Sequence, residues 1–248
     1  MSLGEAVAIV AAGMAAGTVN TVVGSGTLIT FPVLLAFGYA PVTANVSNTI
    51  GLVPGSLSGA YGYRAELVGQ RHRIIRYGAA SLAGGILGAV ALLALPASAF
   101  KAVVPVFIAI ALVLVVLQPR LAARLEARRE DSPAVHRVSL GAVFASSVYG
   151  GYFGAAQGIL LLAILGLALS DSLHRINALK NVLAMLVNLV AGVVFIVASH
   201  VAWAPALLIM AGAVVGGQIG SRYGRRLSPP LLRGVIVIVG VVAIVRLV

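Results

Sequence analysis

The chain has 248 residues, 60% of them hydrophobic and 9% charged, with a net charge of +11 and a mean hydropathy of +1.08. This composition excludes a soluble globular domain; apolar runs near the ~20 residues that cross a bilayer recur throughout, which defines an all-α polytopic membrane protein. There is no cysteine, so disulfides, thiolate nucleophiles and Cys-ligated metals are excluded, and the basic residues lie in short loops between apolar spans, the pattern of cytoplasmic loops at anionic lipid headgroups rather than of a nucleic-acid-binding surface.

In chain order, apolar periodicity predicts helices over 3–23, a short one over 27–38, then 42–62, 74–95 and 100–118. A charged, helix-prone segment, 119–137, follows and reads as a linker. Beyond it come 138–155, a short helix over 158–169, then 175–199, 203–221 and 229–247. The start, "MSLGEAVAIV", lacks the basic region of a cleaved signal peptide, so the first helix is expected to remain. Alternating strand patterns of an outer-membrane barrel are missing.

The order of elements repeats, giving a first transmembrane repeat over 1–118 and a second over 138–248. "GGILG" at 84–88 recurs as "GGQIG" at 216–220, Lys101 recurs as Arg233 and Asn45 as Asn177, all at one spacing. Arg64, Arg71, Arg73 and Arg76 make the loop after the third element of the first half cytoplasmic, and Arg120, Arg124, Arg128, Arg129 and Arg137 do the same for the linker. In the second half the equivalent loop, "SHVAW", has no Lys or Arg, whereas the next, "RYGRRLSPP", carries Arg222, Arg225 and Arg226. Equivalent loops therefore face opposite sides. The expectation is an inverted repeat of two five-element halves in a bacterial-type inner membrane, with the linker cytoplasmic and both chain ends outside.

Each half contains one short helix introduced by small or polar residues: "NTVVGSGTLITFP" and "GGYFGAAQGILLL". Twelve helical residues rise about 18 Å, little more than half of the ~30 Å hydrocarbon core. Such a segment is broken or re-entrant, and its non-helical backbone is tolerated at depth only where it is buried in protein or lines a wet cavity. A helix N-terminus there points free N–H groups and a positive dipole end inward, a ready setting for an anion.

The stretch "INALKNVLAMLVN" (176–188) places Asn177, Lys180, Asn181 and Asn188 within roughly a 100° arc of one helix. The matching residues of the first half are Asn45, Asn48, Thr49 and Ser56, every one polar. Polar faces on membrane helices turn towards neighbours or cavities. The six acids are Glu5, Glu66, Glu126, Glu130, Asp131 and Asp171, all at ends or loops, so no span offers Lys180 a carboxylate. Two readings of Lys180 stay open: the fixed positive charge of an anion cavity, also able to couple transport to protons, or a lysine that snorkels towards the surface near Arg175. Asn20, Ser25, Thr27 and Gln157 flank this face. The glycines at 84/88, 55/59 and 212/216/220 follow small-xxx-small spacing and read as helix packing. Pro32, Pro54 and Pro105 read as kinks, and Trp203 as an interfacial anchor.

An enzyme is not expected. A nucleophile at Ser25 would need a base in a facing span, and His72, His136, His174 and His200 fall in loops or helix ends. No cluster has metal-ligand spacing, no GxxxxGK[ST] loop is present, and no cofactor is called for.

Residues 15–67, "AAGTVNTVVGSGTLITFPVLLAFGYAPVTANVSNTIGLVPGSLSGAYGYRAEL", resemble the first repeat of the sulfite exporter TauE/SafE family, the 4-toluene sulfonate uptake permeases. The Gly24-Ser25-Gly26 turn before "LITFPVLL", the "TANVSNTIG" run and the glycine-spaced helix carry the likeness. Residues 149–183, "YGGYFGAAQGILLLAILGLALSDSLHRINALKNVL", are similar to the second repeat, with a turn poorer in glycine. The resemblance implies a secondary permease for sulfite, sulfonates or other small organosulfur or carboxylate anions, and leaves direction, coupling ion and oligomeric state open. The expected substrate contacts are Lys180 for charge, Asn177, Asn181, Asn45, Asn48 and Thr49 for orientation, and Asn20, Gly24, Ser25, Gly26, Thr27 and Gln157 at the broken helices. A channel and a non-transporting structural subunit remain the alternatives.

Overall fold

The computed structural model describes residues 1–127, 133–224 and 229–247. Among them the regular elements are helices: α1 (Leu3–Val22), α2 (Thr27–Ala36), α3 (Pro41–Gly62), a 3-10 turn (Arg64–Leu67), α4 (Arg71–Ala94), α5 (Ala97–Ala127), α6 (Pro133–Tyr152), α7 (Gln157–Ala168), α8 (Leu173–Ala198), α9 (Trp203–Tyr223) and α10 (Pro229–Leu247). Local chemistry sets the boundaries. Ser2 and Glu5 form a reciprocal capping box at the start of α1, with Glu5 N donating to Ser2 Oγ at 3.2 Å. Gly38, at φ +84°, ends α2 and Pro41 opens α3. Ser172 caps α8 by accepting from Arg175 N.

Five helices among the described residues are long and apolar enough to cross a membrane: Leu3–Val22, Arg71–Ala94, Ala97–Pro119, Leu173–Ala198 and Trp203–Tyr223. The short α2 and α7, of 10 and 12 residues, match the predicted broken segments. Helix α3, 22 residues long, is absent from the apolar set because Asn45, Ser47, Asn48, Thr49 and Ser56 run along its buried side.

The two halves exchange their fourth helices. Helix α9 packs on α1 and α3, while α4 packs on α6 and α8. Short helices join the same arrangement: α2 touches α1, α3 and α10, and α7 touches α6, α8 and α5. Two bundles result, α1–α2–α3–α9–α10 and α6–α7–α8–α4–α5, and α3 meets α8 where they adjoin. The registers of the two bundles correspond. A Cβ on Gly216 would lie 2.0 Å from Met14 O of α1, and one on the equivalent Gly84 would lie 2.5 Å from Phe144 O of α6. The backbones can approach only because no side chain intervenes, which confirms the packing role read for these glycines.

A single spacing does not hold along the whole chain. Helices α3 and α8 match at the predicted offset, but the bonds Ile29 N to Gly26 O and Thr30 N to Gly26 O recur as Ile159 N to Ala156 O and Leu160 N to Ala156 O. Gly24 therefore corresponds to Gly154, and α7 takes up the two extra residues before α8 begins. Helix α5 also continues to Ala127, so the first part of the predicted linker is helix. Residues 128–132 of that linker, with Arg128 and Arg129, and the loop residues Arg225 and Arg226 lie outside the described residues. The prolines at 32, 54 and 105 are accommodated within helices that continue past them.

Candidate functional site

The polar faces of α3 and α8 meet the ends of α1 and α6. At the end of α1, Val23 N and Gly24 N both donate to Val19 O, at 2.7 and 3.0 Å, so the carbonyls of Asn20 and Thr21 receive no backbone donor. Such carbonyls carry the negative end of the helix dipole and need partners away from water. Helix α8 supplies them. Lys180 Nζ donates to Asn20 O at 3.1 Å and to Thr21 O at 3.3 Å. Asn177 Nδ2 and Asn181 Nδ2 donate to the same Thr21 oxygen at 3.3 and 3.2 Å. Lys180 is 0% exposed, so the ammonium caps α1 instead of snorkelling to the surface. Its partners are carbonyls, as the lack of acids in the spans requires.

At the end of α6 the equivalent Asn45 donates from Nδ2 to Tyr152 O at 3.0 Å. The caps are thus reciprocal: α8 of one bundle closes α1 of the other, and α3 closes α6. Asn48, the counterpart of Lys180, turns instead to α2, donating to Thr27 Oγ1 at 3.3 Å and accepting from Thr30 Oγ1. Thr49 Oγ1 donates to Asn45 O within its own helix. Asn48, Thr49 and Thr27 therefore brace the first half and are not brought onto Lys180.

Ser56 and Asn188 are each other's equivalents and touch, Asn188 Nδ2 donating to Ser56 Oγ at 3.4 Å, with Asn20 Nδ2 on the same hydroxyl at 3.2 Å. The contact joins α3 and α8 at positions 132 residues apart, which is consistent with the expected inverted repeat. Nearby in sequence, the two helix breaks cross backbone on backbone. Gly158 N donates to Gly24 O at 3.1 Å, and a Cβ on either glycine would lie 2.4 Å from the other's Cα. Gly24 also needs its φ of +89°. Its carbonyl accepts from α7 and its N–H is spent on Val19 O, so Gly24 is a crossing point and not the free donor expected from the sequence. Gly26 serves as the N-cap of α2 and has no side chain to cap with.

Among the described residues, four buried side-chain atoms around these breaks have no hydrogen-bond partner: Ser25 Oγ, Gln157 Nε2, Asn45 Oδ1 and Asn177 Oδ1. Ser25 and Gln157 are 0% and 3% exposed, and Gln157 lies over Gly150, where a Cβ would come 2.2 Å from its Cδ. Orphaned buried polar groups cost stability and point to a missing partner. Among the described residues no group of His, Cys, Asp or Glu could hold a metal. The sequence reading missed Thr21 and Tyr152, whose contribution is a backbone carbonyl that any side chain would provide. It also missed Thr30 and the aromatic cluster of Phe31, Phe100, Phe107, Tyr149, Tyr152 and Phe153, in which Phe31 meets Phe153 at 5.1 Å.

Outside the spans, Asp171 joins the α7–α8 loop to α4. Arg73 Nη1 lies 2.5 Å and Arg175 Nε 3.0 Å from its carboxylate. Burial pushes the Asp171 carboxyl upward, but the hydrogen bonds from Arg73 and Arg175 outweigh it and hold the group below its ordinary value. Arg175 Nη1 further donates to Val68 O, and Gln70 Nε2 to Arg175 O, pinning the connector between α3 and α4.

An all-helical membrane chain with two broken-helix crossings facing a shared polar seam has the build of a multi-pass transporter. The match to a family model described as Sulfite exporter TauE/SafE covers residues 9–247, and the chain belongs to that family. It is 26% identical over 235 residues to the "Probable membrane transporter protein YfcA" of Escherichia coli K12, covering 94% of this chain and 86% of that one. It is 27% identical over 234 residues to the "Probable membrane transporter protein ORF9" of Sinorhizobium sp, covering 94% and 88%. A "Probable membrane transporter protein" of Haemophilus influenzae is 25% identical over 234 residues, covering 91% and 88%. No solved structure matches significantly. The protein is a multi-pass membrane transporter.

Proposed function

We propose that the protein is a secondary carrier for small anions, of the class of sulfite, sulfonates and related organosulfur or carboxylate anions. The family supports the substrate class. The observation that carries the anion site is a surplus of donors. Lys180 Nζ, Asn177 Nδ2 and Asn181 Nδ2 converge on one carbonyl oxygen, Thr21 O, which has only two lone pairs. Lys180 keeps a third N–H beyond its two carbonyl bonds, and Gln157 Nε2 and Ser25 Oγ stand unpartnered at the neighbouring break. An oxyanion with several acceptor oxygens satisfies such a set, and an ammonium makes the bonds charge-assisted.

Transport would follow from rocking of the α1–α2–α3–α9–α10 bundle against the α6–α7–α8–α4–α5 bundle about the Gly24–Gly158 crossing and the Ser56–Asn188 contact. The reciprocal caps lie across that boundary, so they are the bonds such a motion exchanges. In this reading both termini face outward and the basic linker faces the cytoplasm of a bacterial-type inner membrane.

The test is uptake and counterflow of labelled sulfite and of a small sulfonate in proteoliposomes. Wild type should show saturable flux and counterflow, and Lys180→Met should lose at least tenfold of it. Unchanged flux in Lys180→Met removes the charge from the site. Flux that never saturates and shows no counterflow assigns a channel instead.

A further inference from the structure

We infer that the C-terminus of α1 is a monovalent-cation site, occupied by the carrier's own Lys180 ammonium in the place where an ion-coupled carrier would hold Na+. Helix C-termini and freed carbonyls inside membrane carriers are the usual ligands of coupling cations, just as helix N-termini receive anions. Here Asn20 O and Thr21 O have no backbone donor, sit at the negative end of the α1 dipole, and both accept from Lys180 Nζ. A third oxygen belongs to the same cluster: Asn177 Oδ1 is buried and unpartnered, on the amide whose Nδ2 rests on Thr21 O. Two carbonyl oxygens on one buried ammonium, with an unpartnered amide oxygen on the adjoining side chain, make a set of uncharged hard oxygens suited to an alkali cation.

The other half shows what this end looks like without the ammonium. Among the described residues the side chain that meets Tyr152 O of α6 is Asn45, and the residue equivalent to Lys180 is Asn48, which is engaged with α2. One of the two pseudo-equivalent ends has thus acquired a tethered cation. The lysine lies about 10 Å along α8 from Leu173, well inside the span, is 0% exposed, and has no carboxylate among its bonds. The wild-type carrier accordingly needs no Na+ at this place, because the ammonium bridges the α1 dipole and the substrate.

Truncating the lysine should open the site to Na+. Purified full-length wild type, Lys180→Ala and Lys180→Met are compared by thermal unfolding in NaCl and in choline chloride at equal ionic strength. Wild type should be indifferent to the cation. Lys180→Ala should be stabilised by Na+ alone, its midpoint rising with the logarithm of Na+ concentration, by roughly 5–10 °C at a hundredfold excess over Kd. Lys180→Met, whose chain fills the space, should not respond. An Ala variant equally stable in both salts overturns the inference.

Should Lys180→Ala fail to accumulate, Lys180→Cys provides the second route. It carries the only thiol in the chain, and aminoethylation with bromoethylamine restores an ammonium at that place. The thiol form should need Na+ and the aminoethylated form should not; accumulation of neither variant even in Na+-rich medium also overturns the inference. A flux arm rests on the anion-carrier reading: Na+ should restore sulfite flux to Lys180→Ala and leave wild-type flux unchanged. If Lys180→Ala is stabilised by Na+ but no form moves any anion, the carrier reading fails and the cation site stands.

Discussion

The ends of α1 and α6 each precede a broken short helix and are closed by different numbers and kinds of donor. Thr21 O receives three side-chain donors, one of them charged, whereas Tyr152 O receives the single amide of Asn45. Around the α6 end the space is taken by rings instead: Tyr149, Tyr152 and Phe153 pack with Phe31, Phe100 and Phe107, at places where α1 and its turn offer Val19, Val22 and Val23. The two helix ends share a similar backbone setting, each followed by a positive-φ glycine and a short helix. Charge and side-chain donors gather at the end of α1 and apolar bulk at the end of α6, and under the anion-carrier proposal only the first of these ends would serve the substrate.

The largest effect that bears on this comparison falls at the crossing itself. Gly24→Ala puts a Cβ against the Gly158 backbone at 2.4 Å and strains a φ of +89°; about 3–5 kcal/mol of stability should be lost. Gly154→Ala faces only Gly150 O at 2.9 Å, and Ala156 two residues on already holds φ 59°, so about 1–2 kcal/mol is expected there. Thermal midpoints of the detergent-purified variants check this, and equal losses would mean that the turns are not differently loaded.

The caps come next. Asn45→Ala should cost about 1–2 kcal/mol, because Tyr152 O is left without its donor. Asn181→Ala should cost less than about 0.5 kcal/mol, since Thr21 O keeps Lys180 and Asn177. Asn181→Ala should nevertheless weaken anion flux more than Asn45→Ala does, which opposes stability and transport in one pair of variants. Matching rank orders in both assays would dissolve the distinction between a structural cap and a binding cap.

The smallest effect separates the two crossover connectors. The α3–α4 connector is pinned by Asp171 with Arg73 and Arg175, and the α8–α9 connector by Ala202 N on Ser47 Oγ at 2.9 Å. Asp171 has a lowered folded pKa, so its contribution is present above the unfolded value of about 4 and is lost as pH falls through the folded one. Asp171→Asn should cost about 0.5–1 kcal/mol near neutral pH and remove that acid-limb dependence. Ser47→Ala should cost no more than this and leave the pH profile unchanged. Unfolding midpoints taken from neutral pH down to about pH 3 decide it.

Much of this was legible along the chain. Apolar run length and glycine or proline punctuation place the helices to within a few residues for most elements, and a 100° periodicity puts Asn177, Lys180, Asn181 and Asn188 on one face because side-chain direction is fixed by the helix itself. The paired glycines at 84/216 and 88/220 announce close helix contacts since only small residues permit them. The shortage of acids in the spans is legible as well, but the sequence leaves open whether Lys180 is buried or snorkels to the surface, and the structure shows it buried.

Only the tertiary structure decided which helices those faces meet. The exchange of α4 and α9 between halves depends on which glycine ridges fit which grooves, and no local propensity encodes that choice. The partners of Lys180 are the carbonyls of Asn20 and Thr21, and a carbonyl is the same at every residue, so the sequence carries no mark of it. It becomes a ligand only where the chain breaks a helix and brings the free end to another helix's ammonium.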